Sequence, residues 1–229
     1  MGDVLKKKYL SNRVPYMTKS GFKMPASESG NNPGAIILAA GQSSRMGRAK
    51  QLLPWKGKTM LRHTIEQIRA SGVKHLTVVL GSFAKEIEER ENLSDVRVVV
   101  NENWELGMGS SLVFGMSKML QFNPNIQSVL IAVSDQPLLE ANYYKTLINN
   151  YLTGSYKIIS SSYSEQYGVP VIYDRIFFEQ LLKLRGDQGA KHLLRKYSNQ
   201  MVSVEAGTLA VDLDTLDKYN EYFDRYGSI

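Results

Sequence analysis

The strongest constraint on the fold is a recurring alternation. Short, mostly apolar runs end at a glycine or a polar loop, and each is followed by a stretch with helical spacing. Ala35-Ile36-Ile37-Leu38-Ala39-Ala40 stops at Gly41, and Leu76-Thr77-Val78-Val79-Leu80 stops at Gly81. Runs at 96–100 and 129–133 repeat the pattern. Between them, Leu61, Ile65 and Ile68 sit at i, i+4 and i+7, with Gly72 beyond. Leu112, Met116, Met119 and Leu120 mark another apolar helix face. Shorter helices are expected over 83–91 and 140–152. Strands apolar on both faces and separated by helices suit a parallel sheet covered on both sides. The expected architecture is a three-layer α/β/α, Rossmann-like domain with a mostly parallel sheet. Later strands are expected near 157–162, 169–173, 201–205 and 209–213, interleaved with helices near 175–184, 188–197 and 215–225.

Composition narrows the chemistry. With 229 residues and 43% apolar content, the chain can bury a core without staples. It has no cysteine, which excludes disulfides, thiolate metal sites and a cysteine nucleophile. It has only three histidines. The net charge of +6 is concentrated in residues 1–33, where six Lys/Arg face Asp3 and Glu28, leaving +2 for the rest. Residues 1–33 read as a flexible basic leader, and 34–229 as one domain. Nucleic-acid binding is therefore not expected of the body. No apolar run is long enough to span a bilayer, and the leader lacks a secretory apolar core. The expected location is the cytoplasm. His63 and His192, on expected helices, read as surface or capping residues.

Right-handed crossovers bring the C-terminal ends of parallel strands to one edge, where ligands of such sheets bind. The first loop there, Leu38-Ala39-Ala40-Gly41-Gln42-Ser43-Ser44-Arg45-Met46-Gly47-Arg48-Ala49-Lys50, is dense in small residues and cations. Small residues let backbone N–H groups approach phosphate oxygens. Arg45 offers a fork for phosphate and Lys50 a point charge. Neither the P-loop pattern nor Gly-x-Gly-x-x-Gly is present. Gly107-Met108-Gly109-Ser110-Ser111 opens a helix, whose free N–H groups suit ribose, base or phosphate, or else Ser110 caps it. Asp135, directly after the fourth strand, suits a Mg²⁺ ligand. Asp212 and Asp214, at alternate positions of an expected strand, offer a second; helix capping is the stronger reading for Asp214, and metal binding for Asp212.

The ordered set of motifs resembles the MobA-like nucleotidyltransferases, and within them the molybdenum cofactor cytidylyltransferases most of all. Carrying it are the 38–50 loop, Asn101-x-x-Trp104-x-x-Gly107-Met108-Gly109-Ser110-Ser111, Asp135-Gln136-Pro137, Gly168-Val169-Pro170, Gly186-Asp187-Gln188-Gly189-Ala190-Lys191 and Asp212-Leu213-Asp214-Thr215. The resemblance covers about 35–225 and implies a GT-A-like domain. The implied reaction transfers CMP from CTP to the terminal phosphate of molybdopterin cofactor, with pyrophosphate leaving.

The same resemblance implies the site residues. Leu38, Ala39, Ala40, Gly41 and Gly81 would border the nucleotide, with Gly109, Ser110 and Ser111 near its base or ribose. Arg45 and Lys50 would bind the triphosphate. Asp135 and Asp212 would hold Mg²⁺, with Mn²⁺ as a substitute. Gly168, Pro170, Asp187, Gly189 and Lys191 would face the pterin substrate. The family often has arginine where this chain has Lys191. A molybdenum hydroxylase or a maturation chaperone would receive the product. Guanylyl-transferring relatives look like Leu-Ala-Gly-Gly at the first loop, so Ala40 favours a pyrimidine. The alternatives are GTP as donor, a sugar- or isoprenoid-phosphate acceptor, or a non-catalytic nucleotide-binding chaperone.

Overall fold

The computed structural model describes residues 32–163, 166–186 and 191–228. The expected leader lies outside them, except Asn32 and Pro33, as do Asp187, Gly189 and the side chain of His192. A seven-stranded sheet forms the centre. Its strands are β1 (Gly34–Ala39), β4 (Leu76–Leu80), β5 (Arg97–Val100), β6 (Ser128–Val133), β7 (Ile158–Tyr163), β8 (Gln166–Asp174) and β9 (Met201–Glu205), in the order β5-β4-β1-β6-β8-β7-β9. β2 (Pro54–Trp55) and β3 (Lys58–Thr59) form a separate hairpin, turning at Lys56 and Gly57, both with positive φ.

β1 pairs in parallel with β4 and β6, and β4 with β5. β8 runs antiparallel to both β6 and β7, and β9 is parallel to β7. Two reversals restore direction, so β6, β7 and β9 all end at the edge where β1 ends.

Alternation along β1 shows why the sheet is covered twice. Ala35, Ile37 and Ala39 pack with Leu61, Ile65 and Ile68 of α1 (Met60–Ala70) and with Tyr144, Leu147 and Ile148 of α4 (Ala141–Thr153). Ile36 and Leu38 face the other way, onto Leu112, Met116 and Met119 of α3 (Met108–Phe122). Phe178 and Leu181 of α5 (Phe178–Leu182) and Leu193 and Leu194 of α6 (Lys191–Lys196) complete that side. α2 (Ala84–Arg90) adds Ile87 to the first face. This is the three-layer arrangement expected from the sequence, because period-two strands lacking a polar side must bury both faces. Among the described residues, no helix is long and apolar enough to cross a membrane.

Several local expectations are corrected. No strand forms over 209–213. A 3₁₀ turn at Gly207–Leu209 gives way to an irregular run, in which Leu213 donates its N–H to the Asp135 carbonyl at 2.9 Å. The apolar residues there pack into a small third core: Leu213 is buried with Met46, Leu53, Trp55, Met60 and Tyr219. That core, not a sheet, produced the alternating pattern. The helix expected at 175–184 is a 3₁₀ turn (Arg175–Phe177) followed by α5. The last helix, α7 (Leu216–Tyr222), continues into a π-turn at Phe223–Gly227.

Candidate active site

Asp135 follows β6, and Lys50 ends the loop leaving the neighbouring strand β1. The parallel register therefore brings them to one place. The Lys50 ammonium donates to Asp135 Oδ2 and, at 2.6 Å, to Asp214 Oδ1. The Arg45 guanidinium donates to the other oxygen of Asp214 at 2.8 Å. Lys50 and Asp135 side chains are each only 14% exposed, whereas Arg45 is 65% exposed. Gln136 donates from its amide to Asp212 Oδ1 at 2.8 Å. Two carboxylates, Asp135 and Asp214, thus share two cations at the sheet edge, with Asp212 held alongside by Gln136.

The electrostatics follow from this crowding. Burial pushes the Asp135 carboxyl up; Lys50 opposes the shift, and Asp212 and Asp214 reinforce it. Burial works against the Lys50 charge, but Asp135 and Asp214 outweigh it and carry the ammonium above its ordinary range. Asp214 is held below the usual carboxylate range by Lys50 and Arg45, against the effect of its own burial. Asp135 Oδ1 is buried and accepts no hydrogen bond from the described residues. A carboxylate with an uncommitted oxygen beside two further acids fits the chemistry of a hard divalent cation. Among the described residues, no three acidic or histidine side chains are grouped to hold a metal by themselves.

A cavity of about 360 Å³ opens beside this cluster, within the usual range for small-molecule sites. It is lined by Leu38, Ala39, Ala40 and Gly41, by Lys50 and Asp135, and by Trp104 and Ser111. Arg45, Gly81, Gly109, Ser110, Gly168, Pro170, Lys191 and Asp212 do not line it. Gly81 backs it instead: a Cβ there would lie 2.7 Å from both the Ala40 carbonyl and the Trp104 Cβ, so only glycine lets the two loops meet. Ser110 and Ser111 hydroxyls accept from the buried Asn101 amide at 3.1 and 3.0 Å.

The Gly109 N–H, expected to be free for ligand, is donated to the Gly186 carbonyl at 2.9 Å. It ties the start of α3 to the loop after α5. Ser110 does not cap α3; Gly107 takes that position and Ser110 Oγ donates to its carbonyl. Asp214 is not the cap of α7 either: Thr215 accepts from the Lys218 N–H, which leaves Asp214 free to face Lys50. Gly168 and Pro170 are buried in β8, where the Gly168 and Pro170 carbonyls accept from Ser160 and Ser161 hydroxyls. Lys191 is exposed at the start of α6.

Two buried residues carried no signal of this kind in the sequence. Gln51, which also lines the cavity, donates to the Ala39 carbonyl at 2.8 Å and so braces the first loop. His63, expected at the surface, is 3% exposed, and its Nε2 donates to the Pro137 carbonyl at 3.1 Å. It supports the segment that follows Asp135. Burial, with Lys56 nearby, holds its pKa below the ordinary value of 6.5; the Pro137 bond and two glutamates oppose this. Folded protein then binds fewer protons than unfolded protein, so His63 favours folding fully above about pH 6.5 and progressively less below it. Melting temperature should therefore fall more steeply between pH 6.5 and 5.5 in wild type than in His63→Gln. Parallel curves over that interval would show that His63 does not stay neutral in the fold.

A mostly parallel sheet with a phosphate-compatible loop, a cavity and a carboxylate cluster at its C-terminal edge defines a nucleotide-handling α/β protein. The family model of the MobA-like NTP transferase domain matches residues 35–202, and the chain belongs to this family of nucleotidyltransferases. The match ends before Asp212 and Asp214, so their place beside Lys50 rests on the coordinates. Nicotine blue oxidoreductase of Paenarthrobacter nicotinovorans is 30% identical over 80% of this chain and 92% of its own length. Rv0371c from Mycobacterium tuberculosis H37Rv superposes with a TM-score of 0.75 at 27% identity, over 85% of this chain and 98% of that one. A manganese complex of Rv0371c gives 0.70 at 25% identity, over 84% and 98%.

Proposed function

We propose that this chain transfers CMP from CTP to the terminal phosphate of molybdopterin cofactor and releases pyrophosphate. The observation that supports it most is the meeting of Lys50 and Asp135 beside a nucleotide-sized cavity lined by the glycine-containing first loop. An oxygen of the acceptor phosphate forms a bond to the α-phosphorus, and the α–β bridging P–O bond breaks, its electrons leaving with pyrophosphate. The acceptor phosphate is already ionised near neutral pH, so no general base is required of the protein. Leu38–Gly41 and Trp104 enclose the nucleoside, while Lys50 and Arg45 neutralise charge on the β and γ phosphates as it builds. Asp135 and Asp212 would hold Mg²⁺ or Mn²⁺, which when bound supplies further charge neutralisation at the phosphates. The manganese complex of Rv0371c supports a divalent metal in this family by likeness. A redox reading drawn from the name of the Paenarthrobacter relative finds no Gly-x-Gly-x-x-Gly fingerprint in the β1 loop.

Base preference rests on Ala40. It is buried against Gly81, and its methyl narrows the wall of the cavity in a way a glycine would not. Pyrophosphate release with molybdopterin cofactor as acceptor should show a higher kcat/KM for CTP than for GTP. A preference for GTP overturns the cytidylyl assignment.

The acceptor side is read from β7 and β8. A Cβ on Gly168 would lie 2.2 Å from the Tyr163 hydroxyl, so the ring sits directly over the glycine. Burial, with Asp212 nearby, pushes the Tyr163 phenol up. Gly168→Ala should displace this ring and raise KM for the acceptor by about tenfold, the scale of one lost positioning contact, while KM for CTP stays within twofold. An equal rise in both would remove the acceptor assignment.

A further inference from the structure

We propose that Lys50 is the resident counter-ion of Asp135 and changes partners when the site is loaded, keeping Asp214 as it gives up Asp135 to a divalent cation. The inference rests on the nucleotidyltransferase reading above and adds a role for Asp214 that capping does not provide. Lys50 reaches two carboxylates at once, Asp135 Oδ2 and Asp214 Oδ1, from a position almost shielded from solvent. Asp135 belongs to a crowd of three acids and would be an uncompensated charge without that ammonium. A second cation on the same carboxylate meets strong repulsion from Lys50, because partial burial weakens dielectric screening.

The two cations therefore compete for Asp135. Lys50 has somewhere to go: Asp214 Oδ1 still holds it, and Arg45 secures the other oxygen of Asp214 at 2.8 Å. Triphosphate oxygens entering the adjacent cavity supply the acceptors that Lys50 loses at Asp135. Nucleotide and metal then bind with positive, reciprocal coupling. Asp214 is a positioning residue in this scheme, acting through Lys50 rather than on the reacting atoms.

The test is Mn²⁺ binding to the nucleotide-free full chain, followed by the electron paramagnetic resonance signal of free Mn²⁺. Lys50→Met should bind Mn²⁺ about tenfold more tightly than wild type, the scale expected for removing one competing charge contact. Lys50→Arg, which keeps the charge, should stay within threefold of wild type. Should Lys50→Met not fold, Lys50→Gln replaces it as an uncharged donor to Asp135. Asp135→Ala should lose the binding. Asp214→Asn should retain it but bind CTP more weakly. Unchanged or weaker Mn²⁺ binding in the uncharged Lys50 variant, with Asp135→Ala still abolishing it, overturns the exchange alone. Loss of Mn²⁺ binding in Asp214→Asn makes Asp214 a ligand and overturns its positioning role. Retention of full binding in Asp135→Ala overturns the metal reading itself.

Discussion

Asp135→Ala should reduce nucleotidyl transfer by about 10³-fold or more, the upper end for removing one preorganised electrostatic contact, without unfolding the protein. Asp135 stands where β6 delivers it to the cavity, beside Lys50, with an oxygen that no donor among the described residues satisfies. Burial and two neighbouring acids already disfavour the Asp135 charge, so its removal relieves repulsion, and Lys50 retains Asp214. Melting temperature should stay within a few degrees of wild type or rise slightly, a pattern common where function strains a site. Turnover in Asp135→Ala close to wild type, with divalent metal present, would contradict its catalytic role.

Lys50→Ala should slow turnover by about 10²-fold, again the scale of one charge contact to the transition state. Two routes lead to this loss: the triphosphate loses a cation, and Asp135 and Asp214 lose the ammonium that joins the β1 loop to the β6 loop. The distinguishing readout is the combination of slower transfer with tighter Mn²⁺ binding, which a merely loosened fold would not give. A reduction below threefold would make Lys50 a structural ion-pair partner with no part in the chemistry.

The strands that position these residues were legible because parallel strands bury both faces, leaving the runs at 35–40, 76–80 and 129–133 almost wholly apolar. Once those strands were placed, the polar loops after them followed, and Lys50 and Asp135 with them. Asp214 was not legible in its true role. Its partner Lys50 is 164 residues away, and the spacing with Asp212 imitates a strand. The irregular path at 211–214 exists because Leu213 hydrogen-bonds to the Asp135 carbonyl and buries its side chain with Met46 and Trp55. Such packing leaves the same alternation in the sequence as a strand would. The burial of His63 is hidden in the sequence for a related reason. A histidine on a helix looks exposed until the carbonyl that accepts from it is known, and that carbonyl belongs to Pro137, beyond three intervening strands. Gly109 shows the same limit, because a helix N-terminus predicts free N–H groups but not a neighbouring loop that consumes one.

The most direct measurement is the mass of the product formed from CTP, divalent metal and molybdopterin cofactor by the purified chain. The account predicts a cytosine dinucleotide form of the cofactor and one pyrophosphate for each CTP consumed. CTP turnover that yields nucleoside diphosphate and free phosphate, with the pterin unchanged, would contradict it.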